Sequence, residues 1–211
     1  MNSVKALEML NNGRIEDLKK ALQDEIYTES LKGKTDAKKR YSAMKKYFTL
    51  IDNPREVCKK PCKINYNGKT YNSFTNSYSL ALTTESCGEI EMFDTENGTY
   101  PDITRLVDTT GPKSTIDISK VIAKAKSLGY KLKKSEMYKS DYLMHFNDSY
   151  FRIALLDSTF GIIDNGEPAT VYHAGGRKDK LTIETNLGVA VVMPLFIEDG
   201  PDEGTVVIEA E

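Results

Sequence analysis

Lys180-Leu-Thr-Ile-Glu-Thr-Asn-Leu-Gly-Val-Ala-Val-Val-Met-Pro-Leu-Phe-Ile197 consists of two β-branched runs joined at Asn186-Leu187-Gly188. Successive strand side chains point to opposite faces, so Leu181, Ile183 and Thr185 share one face of the first run. Val189, Val191, Met193 and Leu195 share a face of the second. A short glycine-containing connection between such runs predicts a β-hairpin. Pro194 has no amide proton to give a ladder and is expected at an edge or a strand exit. The stretch therefore either closes a core or ends in an exposed Met193-Pro194-Leu195 tip that docks a partner.

Outward from this hairpin the pattern remains sheet-like for most of the chain. Lys63 to Tyr66, Asn67-Gly68 and Lys69 to Tyr71 read as a two-residue hairpin, because Asn-Gly accepts the positive φ angles of a type I′ turn. Phe74 to Leu82 reads as one strand with Tyr78, Leu80 and Leu82 inward, Ile90 to Phe93 as a shorter one, and Asn97-Gly98 as a turn. Asp117 is placed to cap a helix whose apolar side carries Ile118, Val121, Ile122, Ala125 and Leu128, closed by Gly129. Tyr142 to Phe146 is strand-like. Asn147-Asp148 reads as the N-cap of a helix through Phe160, and Ala169 to His173 completes an α+β body of antiparallel sheet backed by two helices.

Ahead of that body the period is helical. Val4, Leu7 and Leu10 form a stripe stopped by Asn11-Asn12-Gly13. Ile15, Leu18, Ala21, Leu22 and Ile26 form a second, and a third helix from about Asp36 carries Tyr41, Met44, Tyr47 and Phe48. Lys38, Lys39, Arg40, Lys45 and Lys46 lie between those aromatics, which either meet a phosphate backbone or pack on the second helix. Asn53-Pro54 and Lys59-Lys60-Pro61 end the helical part, dividing the chain into a basic helical segment, 1–60, and an α+β domain, 61–211.

Charge follows the same division. Residues 1–60 hold 14 Lys+Arg against 9 Asp+Glu, whereas 61–211 hold 15 against 22, so a net −2 conceals +5 ahead of −7. A basic segment suits a negatively charged partner such as double-stranded DNA, or is simply a solvated helix face. Six acids and no base from Glu198 to Glu211 argue against that end lying on DNA. No apolar run approaches ~18 residues and the amino terminus is no signal peptide, so a cytoplasmic protein with no membrane contact is expected. Three cysteines suit a reducing compartment. Cys58 and Cys62 alone do not complete the four ligands of a zinc site, and no cofactor motif is present. His145 and His173 have no nucleophile-elbow or carboxylate pair beside them, which leaves a hydrolase as a third class only.

Four stretches, in order, resemble the bacterial DNA polymerase III sliding clamp (beta subunit) family, in its last domain and the strand preceding it. Phe74-Thr-Asn-Ser-Tyr-Ser-Leu-Ala81 looks like the family's T-D-G-H-R-L-A, and Tyr100-Pro-Asp-Ile-Thr-Arg-Leu-Val107 like F-P-D-Y-R-R. Phe146-Asn-Asp-Ser-Tyr-Phe151 looks like F-N-x-x-Y-L, and Val191-Val-Met-Pro-Leu195 like the terminal V-x-M-P-M. The resemblance covers about residues 62–197 and implies a truncated, non-enzymatic clamp-like protein of DNA replication, in the form a phage or mobile element would carry. It implies a groove for replication-protein peptides lined by Thr75, Tyr78, Leu80, Leu106, Val191, Met193, Pro194 and Leu195. It also implies DNA contacts from Lys120, Lys124 and Lys126, joined by the five basic residues of the third helix, and oligomerisation if a ring forms. The chain departs from the family where Ser77-Tyr78-Ser79 replaces Gly-His-Arg and Phe196 replaces an arginine. The competing expectation is a small interaction or regulatory protein with a basic helical DNA- or protein-binding module on a sheet scaffold.

Overall fold

The computed structural model describes residues 3–50, 55–96, 98–134, 137–139 and 141–210. The Asn53-Pro54 boundary and Asn97 of the Asn97-Gly98 turn lie outside the described residues. Seven strands form one antiparallel sheet: β1 (Cys62–Tyr66), β2 (Lys69–Thr75), β3 (Ser79–Thr83), β4 (Lys113–Ile116), β7 (Ala169–Tyr172), β8 (Leu181–Thr185) and β9 (Gly188–Val192), in the spatial order β1-β2-β3-β9-β8-β7-β4. The β8–β9 hairpin lies at its middle, with Thr185 opposite Gly188 across the expected turn. Leu80 pairs with Val191, so the two stretches the sequence places side by side form one ladder. Asn67 and Gly68 turn β1 into β2 with φ of 50° and 76°, as the Asn-Gly signal requires.

Both faces of the central strands are covered. The helix α5 (Ile153–Ile163) lies on the face formed by Phe74, Ala81, Ala190, Val192, Leu181 and Ile183, and it is buried almost all round, as a helix apolar on every side must be. Leu80, Leu82 and Val191 point the other way, into a smaller cluster closed by Ile103. This reverses the orientation expected for β3: the small side chains Ser79 and Ala81, rather than Leu80 and Leu82, face the main core. Small residues there let α5 approach the sheet closely. On the far side of α5, the helix α3 (Thr35–Tyr47) approaches until a Cβ placed on Gly161 would lie 3.3 Å from that of Ala43.

Phe74 to Leu82 is not one strand. Asn76 Oδ1 accepts the amides of Tyr78 (3.0 Å) and Ser79 (2.8 Å), Ser77 takes φ 76°, and the chain reverses between β2 and β3. Asn147-Asp148 likewise caps no helix. Asn147 takes φ 52° in the turn joining β5 (Tyr142–Phe146) to β6 (Ser149–Arg152), and α5 starts only after Arg152. An asparagine that serves an N-cap also tolerates the left-handed region of a tight turn, and here the turn prevails. Ile90 to Phe93 forms no strand, although Ile90 and Met92 pack on the core. The acidic tail contributes β10 (Val206–Glu209), which pairs in parallel with β5 to complete a three-stranded sheet β10-β5-β6.

The helix α4 (Ile118–Ser127) starts where Asp117 Oδ1 accepts the Lys120 amide at 2.9 Å, and the chain turns away at Gly129, φ 102°. Its Leu128 is exposed rather than part of the apolar side. The helices α1 (Ser3–Asn11) and α2 (Ile15–Ser30) precede α3, which begins at Thr35 with Asp36 in its first turn rather than as its cap. Tyr41 does pack on α2: its hydroxyl donates to Asp24 Oδ1 at 2.7 Å, and its ring meets Tyr27. Tyr47 instead enters the main core beside Phe74. Among the described residues no helix is long and apolar enough to cross a membrane.

Candidate functional site

The Met193-Pro194-Leu195 tip leaves the β3–β9 ladder beside the β2–β3 turn, and the Met193 amide donates to the Tyr78 carbonyl at 3.0 Å. Both side chains are exposed. The Asn76 side chain holds the turn that presents Tyr78, whose ring meets Tyr138 edge-on at 5.8 Å. Leu195 continues into the small sheet, where its amide donates to the Tyr150 carbonyl at 2.7 Å. Arg152, at the end of β6 two residues beyond that bridge, lies close enough to Tyr78 for the two to interact electrostatically. Arg152 is half-buried and its Nε, shut off from solvent, has no hydrogen-bond partner among the described residues. Burial lowers the guanidinium's affinity for its proton, while the neighbouring Tyr78 acts the other way.

The sequence-predicted groove residues thus divide into two levels. Tyr78, Met193 and Leu106 are exposed, and Pro194 and Leu195 are half-buried. Leu80 and Val191 are buried in the cluster closed by Ile103, while Leu106 sits on the 3-10 turn Thr104–Leu106 that follows Ile103. Thr75 is buried, its hydroxyl donating to the Ser79 carbonyl at 3.2 Å. Ser79, where the family has an arginine, is buried as well: its carbonyl accepts the Tyr47 hydroxyl at 3.0 Å and its Oγ accepts that of Thr159 at 2.7 Å. Lys178 Nζ stands 4.6 Å over the exposed Phe196 ring.

On its other side Met193 borders a pocket of about 230 Å³, walled by Asp108, Tyr172, His173, Lys178, Lys180 and Thr182. His173 is buried there and touches Ser149, a pairing that invites a nucleophile reading. Its hydrogen bonds exclude that reading. Nδ1 accepts the Gly175 amide at 3.1 Å and faces the Asn147 side-chain amide at 3.1 Å, so the proton belongs on Nε2, which donates to Ser149 Oγ at 3.1 Å. Ser149 in turn donates to the Gly176 carbonyl at 2.9 Å. An imidazole that donates to the hydroxyl cannot take its proton. His145 lies apart on β5, bonded to Glu209 at 2.8 Å and stacked on Tyr150.

The basic residues divide between the two flanks of their helices. A groove of about 580 Å³ between α3 and α4, floored by Ser158 and Gly161, brings together Lys39, Arg40, Lys46 and Lys126. Arg40 is engaged by Glu85 at 3.3 Å and the Asp164 carbonyl at 3.0 Å, Lys39 by Asp36 at 3.3 Å, and Lys126 by Asp157 at 3.1 Å. The Lys46 carbonyl accepts the Thr49 hydroxyl at 2.7 Å, but the Lys46 ammonium has neither hydrogen bond nor ion pair among the described residues. Lys38 and Lys45 fall on the opposite flank of α3, where Lys45 reaches Asp24 at 2.6 Å. Lys120 and Lys124 lie on the far flank of α4, Lys120 beside Asp117 at 3.6 Å. Cys58, Cys62 and Cys87 are buried free thiols, and burial pushes Cys87 up to about 12, which keeps it protonated. No three His, Cys, Asp or Glu side chains converge in a metal-holding group among the described residues.

The sequence carried one signal for the Tyr78 turn that periodicity obscured: Asn76-Ser77, a turn pair, within an apolar alternation. It carried none for Arg152, whose isolation depends on which chains surround it. No protein-family model matches this chain, and no curated protein does. Among solved structures the chain is similar to DNA polymerase III subunit beta from Borrelia burgdorferi, determined in complex with a natural product. The TM-score is 0.48 and the identity 12%, over 76% of this chain. The chain spans 62% of that protein's chain.

Proposed function

We propose that this chain is a non-enzymatic, clamp-like binding protein of DNA replication that captures a short apolar peptide of a replication protein on the Tyr78–Met193 surface. The observation that carries this reading is the side-by-side exposure of Tyr78 and Met193 at the end of the β3–β9 ladder, joined by the hydrogen bond from the Met193 amide to the Tyr78 carbonyl. Methionine adapts to varied apolar partners, and tyrosine offers a broad ring with a polar tip. The Val191-Val-Met-Pro-Leu195 and Phe74-to-Ala81 resemblances support the same site. Arg152 adds a cation beside it, which would favour a peptide carrying a carboxylate next to its apolar residues.

Leu80→Ala is a poor probe because a buried leucine costs about 2–5 kcal/mol on truncation wherever it lies. The exposed pair gives a cleaner measurement. Fluorescence anisotropy of a labelled peptide with adjacent leucine and phenylalanine should lose at least about 1 kcal/mol of binding on Met193→Ala and on Tyr78→Ala, with melting unchanged. Arg152→Ala should weaken only the version carrying an aspartate. No binding by the unaltered protein would exclude a peptide-capturing role.

The grouping of Lys39, Arg40, Lys46 and Lys126 along one groove favours a second reading, contact with the phosphate backbone of double-stranded DNA. Three of the four already have partners, so the predicted binding is weak. It should fall steeply with added salt, because each phosphate contact releases condensed counterions. Lys46→Glu should abolish it, and an affinity indifferent to salt would rule the reading out.

A further inference from the structure

The helix α2 is turned inside out. Lys20, Asp24 and Tyr27 lie one helical turn apart on one side, and that side faces the body: Lys20 bonds Glu91 at 2.9 Å, Asp24 accepts from Tyr41 and Lys45, and Tyr27 packs against Gly88, where an added Cβ would lie 2.6 Å from its ring. Ile15, Leu18, Leu22 and Ile26 fall on the opposite side. An ordinary surface helix directs its apolar stripe to the core and its charges to water. Here only Leu18 of that stripe is buried, and α1, which packs along α2, buries no residue of its own. Val4, Leu7, Leu10, Ile15, Leu22 and Ile26 are left 45–70% exposed.

We propose that this face is a self-association surface, with the α1–α2 hairpins of two copies packing into a four-helix bundle that points away from the body. Area, charge and architecture favour a second copy. At those exposures the six side chains present on the order of 600 Å² per chain, beyond what a lone soluble protein usually leaves in one patch. Two copies would bury on the order of 1,200 Å², the lower edge of stable interfaces. Residues 3–30 carry four Lys+Arg and six Asp+Glu, with both signs interspersed. That mixture gives no cationic face for nucleic acid or an anionic membrane, whereas it lets two identical hairpins approach. A two-helix hairpin without a core of its own acquires one by doubling.

Sedimentation velocity or light scattering over a hundredfold concentration range tests this. The expected result is a concentration-dependent shift from monomer to dimer. Leu22→Lys/Ile26→Lys should weaken it by more than about tenfold. So should Val4→Lys/Leu7→Lys in α1, a helix that holds nothing of the body together, so its loss leaves the melting temperature unchanged. A protein that stays monomeric throughout, or charged variants that still dimerise, overturns the proposal. Because neither pair touches the Tyr78–Met193 surface, peptide binding is read separately and its failure does not affect this outcome.

Discussion

His173 is held in one protonation state by burial and by three neighbours. The Gly175 amide and Asn147 side chain point at Nδ1, Ser149 lies against Nε2, and burial opposes charge; Asp179 and Asp148 favour it less strongly. The native ring's pKa is therefore lowered from the ordinary value of 6.5. With the folded value below the unfolded one, the unfolded chain binds the extra proton first. Stability is complete above the unfolded pKa and is lost as pH falls through it toward the folded pKa. The melting temperature should drop as pH falls below about 6.5, the ordinary histidine value, and His173→Gln should flatten that slope at the cost of a lower melting temperature at neutral pH. An unchanged slope in the variant would show that the proton goes elsewhere. The role of His173 depends on Asn147 and Ser149, distant from it in sequence and brought together by the β5–β6 turn.

At the scale of elements, the β3–β9 ladder is the joint between the two halves of the main sheet, and Gly188 sits at its closest approach. A Cβ there would lie 1.9 Å from the Leu82 carbonyl oxygen. Gly188→Ala must push the strands apart, and chemical denaturation should show a loss of roughly 3 kcal/mol, the upper end of overpacking costs. Near-native stability would mean that the two strand ends separate at little cost. The β1–β2 and β8–β9 hairpins and α4 were legible because their turn or cap residues signal locally: Asn67-Gly68, the Gly188 connection, Asp117. The elements that escaped lack such signals. Lys113–Ile116 and Val206–Glu209 become strands by finding β7 and β5. The Phe74-to-Leu82 break was masked because apolar alternation on either side of Asn76-Ser77 reads as continuous. The side facing the core was also misread, since a helix on the second face can bury the smaller residues of a strand as completely as the larger ones.

In the whole molecule the two central strands of the main sheet come from opposite ends of the body: Leu80 pairs with Val191, more than a hundred positions along the chain. Contacts that distant close late, because a long loop must be ordered before they form. During synthesis the β1–β3 unit leaves the ribosome early with the β3 edge unpaired, and that edge stays open until residue 192 has emerged. The last strand of the main sheet to arrive is central rather than peripheral. A nascent chain stalled shortly before the β8–β9 hairpin should therefore behave as a client for apolar-binding chaperones, and one released just beyond it should not.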